Sequence, residues 1–406
     1  MPSTDPPAVV VAESPGVAGL AAHPAALPRF WAGVAERGTP LLEPAGPGRH
    51  TATFLWRGDA ATTNVLLLAN RLADRDDLAP SLMRHVPGTD VWHLTYLLPD
   101  DYRGSYQIAV DEAAHTEPPD NAYWQRLMAA ARTDPFNPRT LPTGRSGRAS
   151  SIMELPDAPV QPWNAPSGAP EGEVVEHRFT SEILGNERSL WVYRPRPGGA
   201  IAATAGTDGT DDGTGGLPLL VLLDGNLWFP LLDFRHTTDN LIAAGRIPPM
   251  LVVGVDAIDV PTRRRELGGD PRFRGFLRTE LMPWARRRLG ATRDPAQTVV
   301  AGQSFGALAG LDAPDLFGGV LCQSPSLWRA PETVDAYAAA DTRLRLHLSV
   351  GRYEGAMVAD TRALTGVLRD RGIEVTHTEY TGGHDFVCWR GCMAEGLAAL
   401  ASRPTR

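Results

Sequence analysis

From residue 219 to residue 350 the chain repeats one device, a strand-length run of mostly apolar residues set between stretches of different character. The runs are the Leu/Val run that begins at Leu219, Leu251-Val-Val-Gly-Val, Thr298-Val-Val-Ala, Gly319-Val-Leu-Cys and Arg345-Leu-His-Leu-Ser-Val. Between and after them, Phe276–Leu289, Met357–Arg371 and Cys392–Ala401 have helical length and spacing. A strand that is apolar nearly throughout has to be covered on both faces, and helices alternating with strands supply the covers. The second half is therefore expected to be α/β, with a mainly parallel central sheet.

The first half has another rhythm. Thr51-Ala-Thr-Phe-Leu-Trp, Asn64-Val-Leu-Leu-Leu, Val91-Trp-His-Leu-Thr-Tyr and Ser105-Tyr-Gln-Ile-Ala-Val are strand-length segments separated by turn residues, which suggests a β-sandwich. The expected organisation is a loose leader over residues 1–27, a smaller all-β domain over 28–155, a Pro/Ala/Gly-rich linker over 156–172, and the α/β domain over 173–406. Gly198 to Gly216, rich in Gly, Thr, Ala and Asp, is expected to be a mobile loop without chemistry.

Composition excludes several functions. The formal net charge is −8, so no basic face for nucleic acid is expected. The sequence has no lysine, and P-loop and Schiff-base chemistry both need one. No apolar run approaches the ~18 residues of a membrane span, and no basic segment precedes an apolar stretch at the start; a cytoplasmic protein is expected. The three cysteines, Cys322, Cys388 and Cys392, suit a reducing compartment. Cys388 and Cys392 lack the further ligands of a metal site, and none is expected.

One junction carries chemistry. Thr298-Val-Val-Ala enters Gly302-Gln-Ser304-Phe-Gly306, and an Ala/Leu helical segment leaves it. Small residues flank the serine because a tight strand-to-helix turn, which lifts the hydroxyl clear of the sheet, leaves no room for side chains. That makes Ser304 the expected nucleophile of an α/β-hydrolase, with the amide of Phe305 at a helix N-terminus as one oxyanion donor. On such a fold the base comes last in the chain. His384, in Thr381-Gly-Gly-His384-Asp385 after the strand-like Val375-Thr-His-Thr-Glu-Tyr, has the position. His347 and His377 read as strand residues, and His50, His85 and His93 fall in the other domain. Glu354, in the loop after Arg345–Val350, is the expected acid; Asp360 is the substitute, Asp385 ranks third, and a Ser–His dyad stays open. The second oxyanion donor should come from the loop after the strand beginning at Leu219, from the amide of Gly225 or Asn226.

These motifs together resemble the enterochelin (enterobactin) esterase family, over nearly the whole chain beyond residue 30. In the second half the resemblance rests on Val221-Leu-Leu-Asp-Gly-Asn-Leu-Trp, Val255-Asp-Ala-Ile-Asp with Arg263-Arg-Arg-Glu266-Leu, Val300-Ala-Gly-Gln-Ser-Phe-Gly, and Gly382-Gly-His-Asp-Phe-Val-Cys-Trp-Arg. In the first half it rests on Thr53-Phe-Leu-Trp-Arg, Gly88-Thr-Asp-Val-Trp-His, Arg103-Gly-Ser-Tyr-Gln and Asp134-Pro-Phe-Asn-Pro. The resemblance implies a cytoplasmic serine esterase, monomer or dimer, that cleaves the ester backbone of a ferric catecholate siderophore. Iron then arrives with the substrate and no cofactor is needed. A trianionic, aromatic substrate calls for guanidinium donors and flat rings, and Arg263, Trp228, Trp389 and Arg390 stand beside the matching motifs.

The helix after Ser304 departs from the family pattern: Ala307-Leu-Ala-Gly-Leu runs into Pro314, and a proline stops it after about two turns. Gly306-Ala307 also stands where the family has Gly-Gly. Two alternatives remain at this level: a general esterase-D-like carboxylesterase or acyltransferase, and a non-catalytic protein that binds catecholate siderophores.

Overall fold

The computed structural model describes residues 7, 9–74, 76–111, 120–143, 148–196, 215–339 and 344–401. The segment expected to be a mobile loop, Gly198 to Gly216, lies outside the described residues apart from its last two. By its contacts the chain divides into two compact units. One comprises residues 1–160 with 352–354 and 381–388; the other comprises 161–351, 355–380 and 389–406.

Among the described residues the first unit holds nine strands in two antiparallel sheets. β1 (Val10–Val11), β2 (Leu41–Pro44), β3 (Arg49–Arg57), β5 (Arg84–His85) and β6 (Val91–Pro99) form one sheet in the order β1-β6-β3-β2, with β5 also on β6. β4 (Asn64–Ala69), β7 (Arg103–Asp111), β8 (Thr140–Pro142) and β9 (Ala149–Glu154) form the other in the order β4-β7-β9-β8. Side chains alternate across a strand, and the burial follows that parity. Ala52, Phe54, Leu94, Tyr96, Val65, Leu67, Tyr106 and Met153 share one core from both sheets. The opposite parity, Leu55 and Val91, packs with Trp31 and Val34 of the helix Leu27–Arg37. Leu66, Leu68 and Ala109 pack with Tyr123 and Leu127 of the helix Asn121–Ala130. The result is a sandwich with a helix on each outer face. Of the expected loose leader, residues 1–6 and 8 lie outside the described residues. The rest is not loose: β1 pairs with Leu97 and Tyr96, and Val17 and Leu20 are buried beside Trp31. Isolated apolar residues without a period gave no sign of that docking in the sequence.

The second unit is built on one eight-stranded sheet, ordered β10-β11-β13-β12-β14-β15-β16-β17. β10 (Glu173–Ser181) and β11 (Asn186–Arg194) are antiparallel. β12 (Leu219–Leu223), β13 (Leu251–Val255), β14 (Thr298–Gln303), β15 (Gly319–Gln323), β16 (Arg345–Gly351) and β17 (Glu374–Tyr380) run parallel. Every residue of β12 to β15 is buried, which explains the mostly apolar runs. β12 pairs with β13 on one side and β14 on the other. Strand order reverses there, so the loops leaving β12 and β14 diverge and open a crevice at their carboxyl ends.

Candidate active site

Three neighbouring strands of this sheet end in a residue of positive φ: Asp224 (59°) after β12, Ser304 (58°) after β14 and Ser324 (48°) after β15. At Ser304 ψ is −116°, a conformation costly for any residue with a Cβ. The strand turns there directly into the helix Phe305–Leu311. A Cβ at Gly302 would lie 2.5 Å from the carbonyl carbon of Gly306, so strand and helix touch backbone to backbone. The Ser304 amide donates to the Gln323 carbonyl at 2.9 Å, which ties the turn to β15. The helix ends after seven residues, as the proline spacing requires, and the Tyr337 hydroxyl donates to the Leu311 carbonyl at 3.0 Å.

Sequence reasoning missed Ser326. Its hydroxyl lies 3.1 Å from that of Ser304, and its amide donates to the Ser304 carbonyl at 3.3 Å. The available signal was Gln323-Ser-Pro-Ser326 directly after β15, the strand next to the one that leads into Ser304.

The loop after β12 forms a four-residue helix, Gly225–Trp228. A side chain at Gly225 would collide with the backbone of Gly254, so no other residue allows this approach. The amides of Gly225 and Asn226, like that of Phe305, stand in a first helical turn, where no partner exists within the helix. The Asn226 side chain accepts from the Ala257 amide at 3.2 Å. Beneath them Asp224, fully buried, accepts from Arg263 Nε at 2.6 Å, Arg263 Nη2 at 2.7 Å and Gln303 Nε2 at 2.7 Å. Burial works against the Arg263 charge, but Asp224 outweighs it and holds the guanidinium above its usual range. The fork therefore braces the loops after β12 and β14, because Arg263 also donates to the Gln303 carbonyl at 3.2 Å.

In the first unit the loop 381–388 is stitched to β7 and its approach. The Arg103 amide donates to the Thr381 carbonyl at 3.0 Å, and Thr381 Oγ1 donates to Asp101 at 2.7 Å. Asp385, buried, accepts from the Ser105 amide at 2.5 Å and the Val387 amide at 3.0 Å. Burial raises its carboxyl above the usual range against the pull of those donors. Asn70, just past β4, donates from its side-chain amide to the His384 carbonyl at 2.9 Å. On this frame His384 Nδ1 meets Glu354 Oε2 at 2.6 Å. Asp385 is thus committed to backbone donors, and Asp360 lies in the helix Ala356–Asp370. Asn70 was also missed; nothing in its sequence neighbourhood distinguishes it from an ordinary turn residue.

Residues 51–164 match the family profile "Enterochelin esterase, N-terminal", and residues 208–400 match "Putative esterase". The iron(III) enterobactin esterase of Dickeya dadantii is 32% identical, over 91% of this chain and 92% of its own. The chain belongs to the enterochelin esterase family. The iron(III) salmochelin esterase of Escherichia coli O6:H1 is 31% identical over 94% of this chain and 95% of its own. Among solved structures, the Shigella flexneri enterobactin esterase crystallised in the presence of enterobactin has a TM-score of 0.76 at 29% identity, covering 92% of this chain and 97% of its own. The Salmonella typhimurium ferric enterobactin esterase has a TM-score of 0.76 at 30% identity, covering 91% and 98%. As an enterochelin esterase family member the chain is an ester hydrolase with an α/β-hydrolase sheet.

Family membership gives its first-half motifs a structural reading. Arg103-Gly-Ser-Tyr-Gln carries the amides that hold Thr381 and Asp385. In Asp134-Pro-Phe-Asn-Pro, the Asp134 carboxylate accepts from Thr39 at 2.7 Å and Tyr106 at 2.9 Å, and Asn137 donates to Tyr106 at 3.0 Å. Of the four residues expected to touch substrate, two are buried and a third, partly exposed, is ion-paired. Trp228 is 1% exposed and its ring N–H donates to Gln303 at 3.2 Å. Trp389 is 4% exposed and its ring N–H donates to Ser324 at 2.9 Å. Arg263 is committed to Asp224, while Glu266 is taken by Arg188 at 2.7 Å. Arg390 donates through Nε to Gln161 at 2.9 Å and remains half-buried.

Proposed function

We propose that this enzyme hydrolyses the ester backbone of a ferric catecholate trilactone siderophore, with Ser304 as nucleophile, His384 as base and Glu354 as the acid that orients it. The observation that carries this reading is the similarity to iron(III) enterobactin esterases running through both halves of the chain.

Ser304 Oγ adds to the ester carbonyl carbon while His384 Nε2 takes its proton. Glu354 holds the Nδ1–H and stabilises the imidazolium that forms. The carbonyl oxygen becomes an oxyanion, held by the Phe305 amide and that of Gly225 or Asn226; each such donor is worth about 10²–10³ in rate. Collapse expels the seryl alkoxide of the neighbouring unit, which takes the proton from His384. Water then adds to the acyl-enzyme with His384 again as base, and frees Ser304 and a carboxylic acid. Iron enters and leaves with the substrate rather than on a protein site. We place the reaction in the cytoplasm, the reducing compartment that a chain with three cysteines, Cys322, Cys388 and Cys392, suits.

The test is one incubation with ferric enterobactin, read by product chromatography. Linear esters of 2,3-dihydroxybenzoylserine are expected, and Ser304→Ala should slow their release by about 10⁶-fold. Turnover of p-nitrophenyl esters with ferric enterobactin left intact would sink the substrate assignment. Tight binding without linear products would make the chain a binding protein.

A further inference from the structure

The first unit encloses a cavity of about 550 Å³ that none of the expected site residues except His384 and Asp385 touches. It lies on the outer face of the second sheet, where Ser105 and Gln107 of β7 and Ser150 of β9 meet Trp124 and Met128 of the helix Asn121–Ala130. Arg71 and Arg148 stand in its wall, and so does His384. The volume falls within the ~300–1,000 Å³ of small-molecule sites.

The charge of the lining is lopsided. Among the described residues its only carboxylate is Asp385, which already accepts two backbone N–H groups, whereas Arg71 and Arg148 are exposed residues of the wall. Arg148 donates from Nη1 to the Met128 carbonyl at 3.3 Å, which sets its fork beside the helix. Arg71 has a φ of 60°, and a Cβ at Gly383 would lie 2.8 Å from Arg71 Cβ. The stem of Arg71 is therefore fixed against the residue preceding His384. Guanidinium forks and an indole around one cavity suit a flat, anionic aromatic group, since each arginine can donate in pairs to oxygens and the ring offers a face.

We propose that this cavity is the specificity site of the enzyme, in which Arg71 and Arg148 take the charge of one catecholate arm and Trp124 takes its ring. The proposal rests on the reading above for the class of substrate. It gives the first unit a chemical task, to hold an anionic arm beside the base, and it replaces Arg263, Trp228 and Trp389 as the residues that recognise the siderophore.

Binding tests it apart from turnover. Full-length Ser304→Ala protein is titrated by calorimetry with ferric enterobactin and with 2,3-dihydroxybenzoylserine, alone and with Arg71→Ala or Arg148→Ala added. Each added substitution should raise Kd at least tenfold for both probes, and the two together more. Arg71→Lys and Arg148→Lys keep a charge without the fork and should fall between; they decide the matter where an alanine variant melts early. Affinities within twofold of the parent, or no binding of either probe by the parent, overturn the proposal. In the Ser304-containing enzyme, KM for ferric enterobactin should rise more than kcat falls. Hydrolysis with KM unchanged in the variants would overturn the cavity and leave the hydrolytic reading intact. Binding through these arginines without hydrolysis would do the reverse.

Discussion

Glu354 and His384 meet at 2.6 Å, with the carboxylate side chain fully buried and the imidazole still 22% exposed. A buried acid that contacts Nδ1 fixes both the tautomer and the plane of the ring, and leaves Nε2 as the working nitrogen. Glu354→Gln preserves shape and removes the charge that favours the imidazolium. We expect kcat to drop by about 10³–10⁴-fold, less than for Ser304→Ala, with little change in KM. Steady-state kinetics on p-nitrophenyl butyrate and on ferric enterobactin measure it. Wild-type kcat in this variant would move the role to Asp360 or leave a dyad.

Ser326 donates to or accepts from Ser304, the proposed nucleophile, through a single neutral hydrogen bond, so its contribution is bounded. Ser326→Ala should lower kcat by about two- to tenfold, the equivalent of one such bond, with KM unchanged. A loss of a thousandfold would mean that Ser326 takes part in proton transfer rather than in positioning.

At Gly302 a methyl group meets backbone on the far side, and backbone cannot rotate away as a side chain can. Gly302→Ala should cost more than about 3 kcal/mol, beyond ordinary overpacking. That corresponds to a melting temperature lower by about 6 °C or more. A thermal melt within a degree of the parent would show that the turn after β14 has more slack than its geometry suggests.

His347, on β16, accounts for a pH effect on stability. Burial lowers its pKa from 6.5 to about 4, His377 adds to the lowering, and Glu395 opposes it. Above pH 6.5 the residue is neutral folded or unfolded and contributes no slope. As pH falls from 6.5 towards 4 only the unfolded chain takes up the proton, so stability is lost through that window, by on the order of 3 kcal/mol. Urea midpoints measured from pH 7 to pH 4.5 should fall less steeply for His347→Gln. Parallel slopes for variant and parent would assign the loss to other groups.

Strands β12 to β15 were legible because burial on both faces keeps them mostly apolar, and the turn at Ser304 was legible because its small residues stand in one stretch. β10 was not, since its exposed edge alternates charge with half-buried residues. The same distinction runs through the site. Ser304 and His384 sit in local glycine-flanked patterns that single them out. Asn70, Ser326 and Arg71 take their significance from neighbours that the fold supplies, 314 residues away for the Asn70–His384 bond. Arginines are the hardest case: sequence places charge beside the motifs, but the partner of Arg263 is a carboxylate 39 residues upstream, and only the fold shows that this fork is occupied.

The seven-residue helix after Ser304 is too short to persist by its own hydrogen bonds. A Cβ at Gly310 would stand 3.4 Å from Val300 and 3.5 Å from Val320, and Tyr337 closes the far end. It behaves as a plug seated in a socket, not as a beam carrying its own weight. Rigidity at the Ser304 hydroxyl is thus inherited from the socket walls, so enlarging a wall residue or removing the Tyr337 hydroxyl tilts the plug from a distance and reaches Ser304 without touching it.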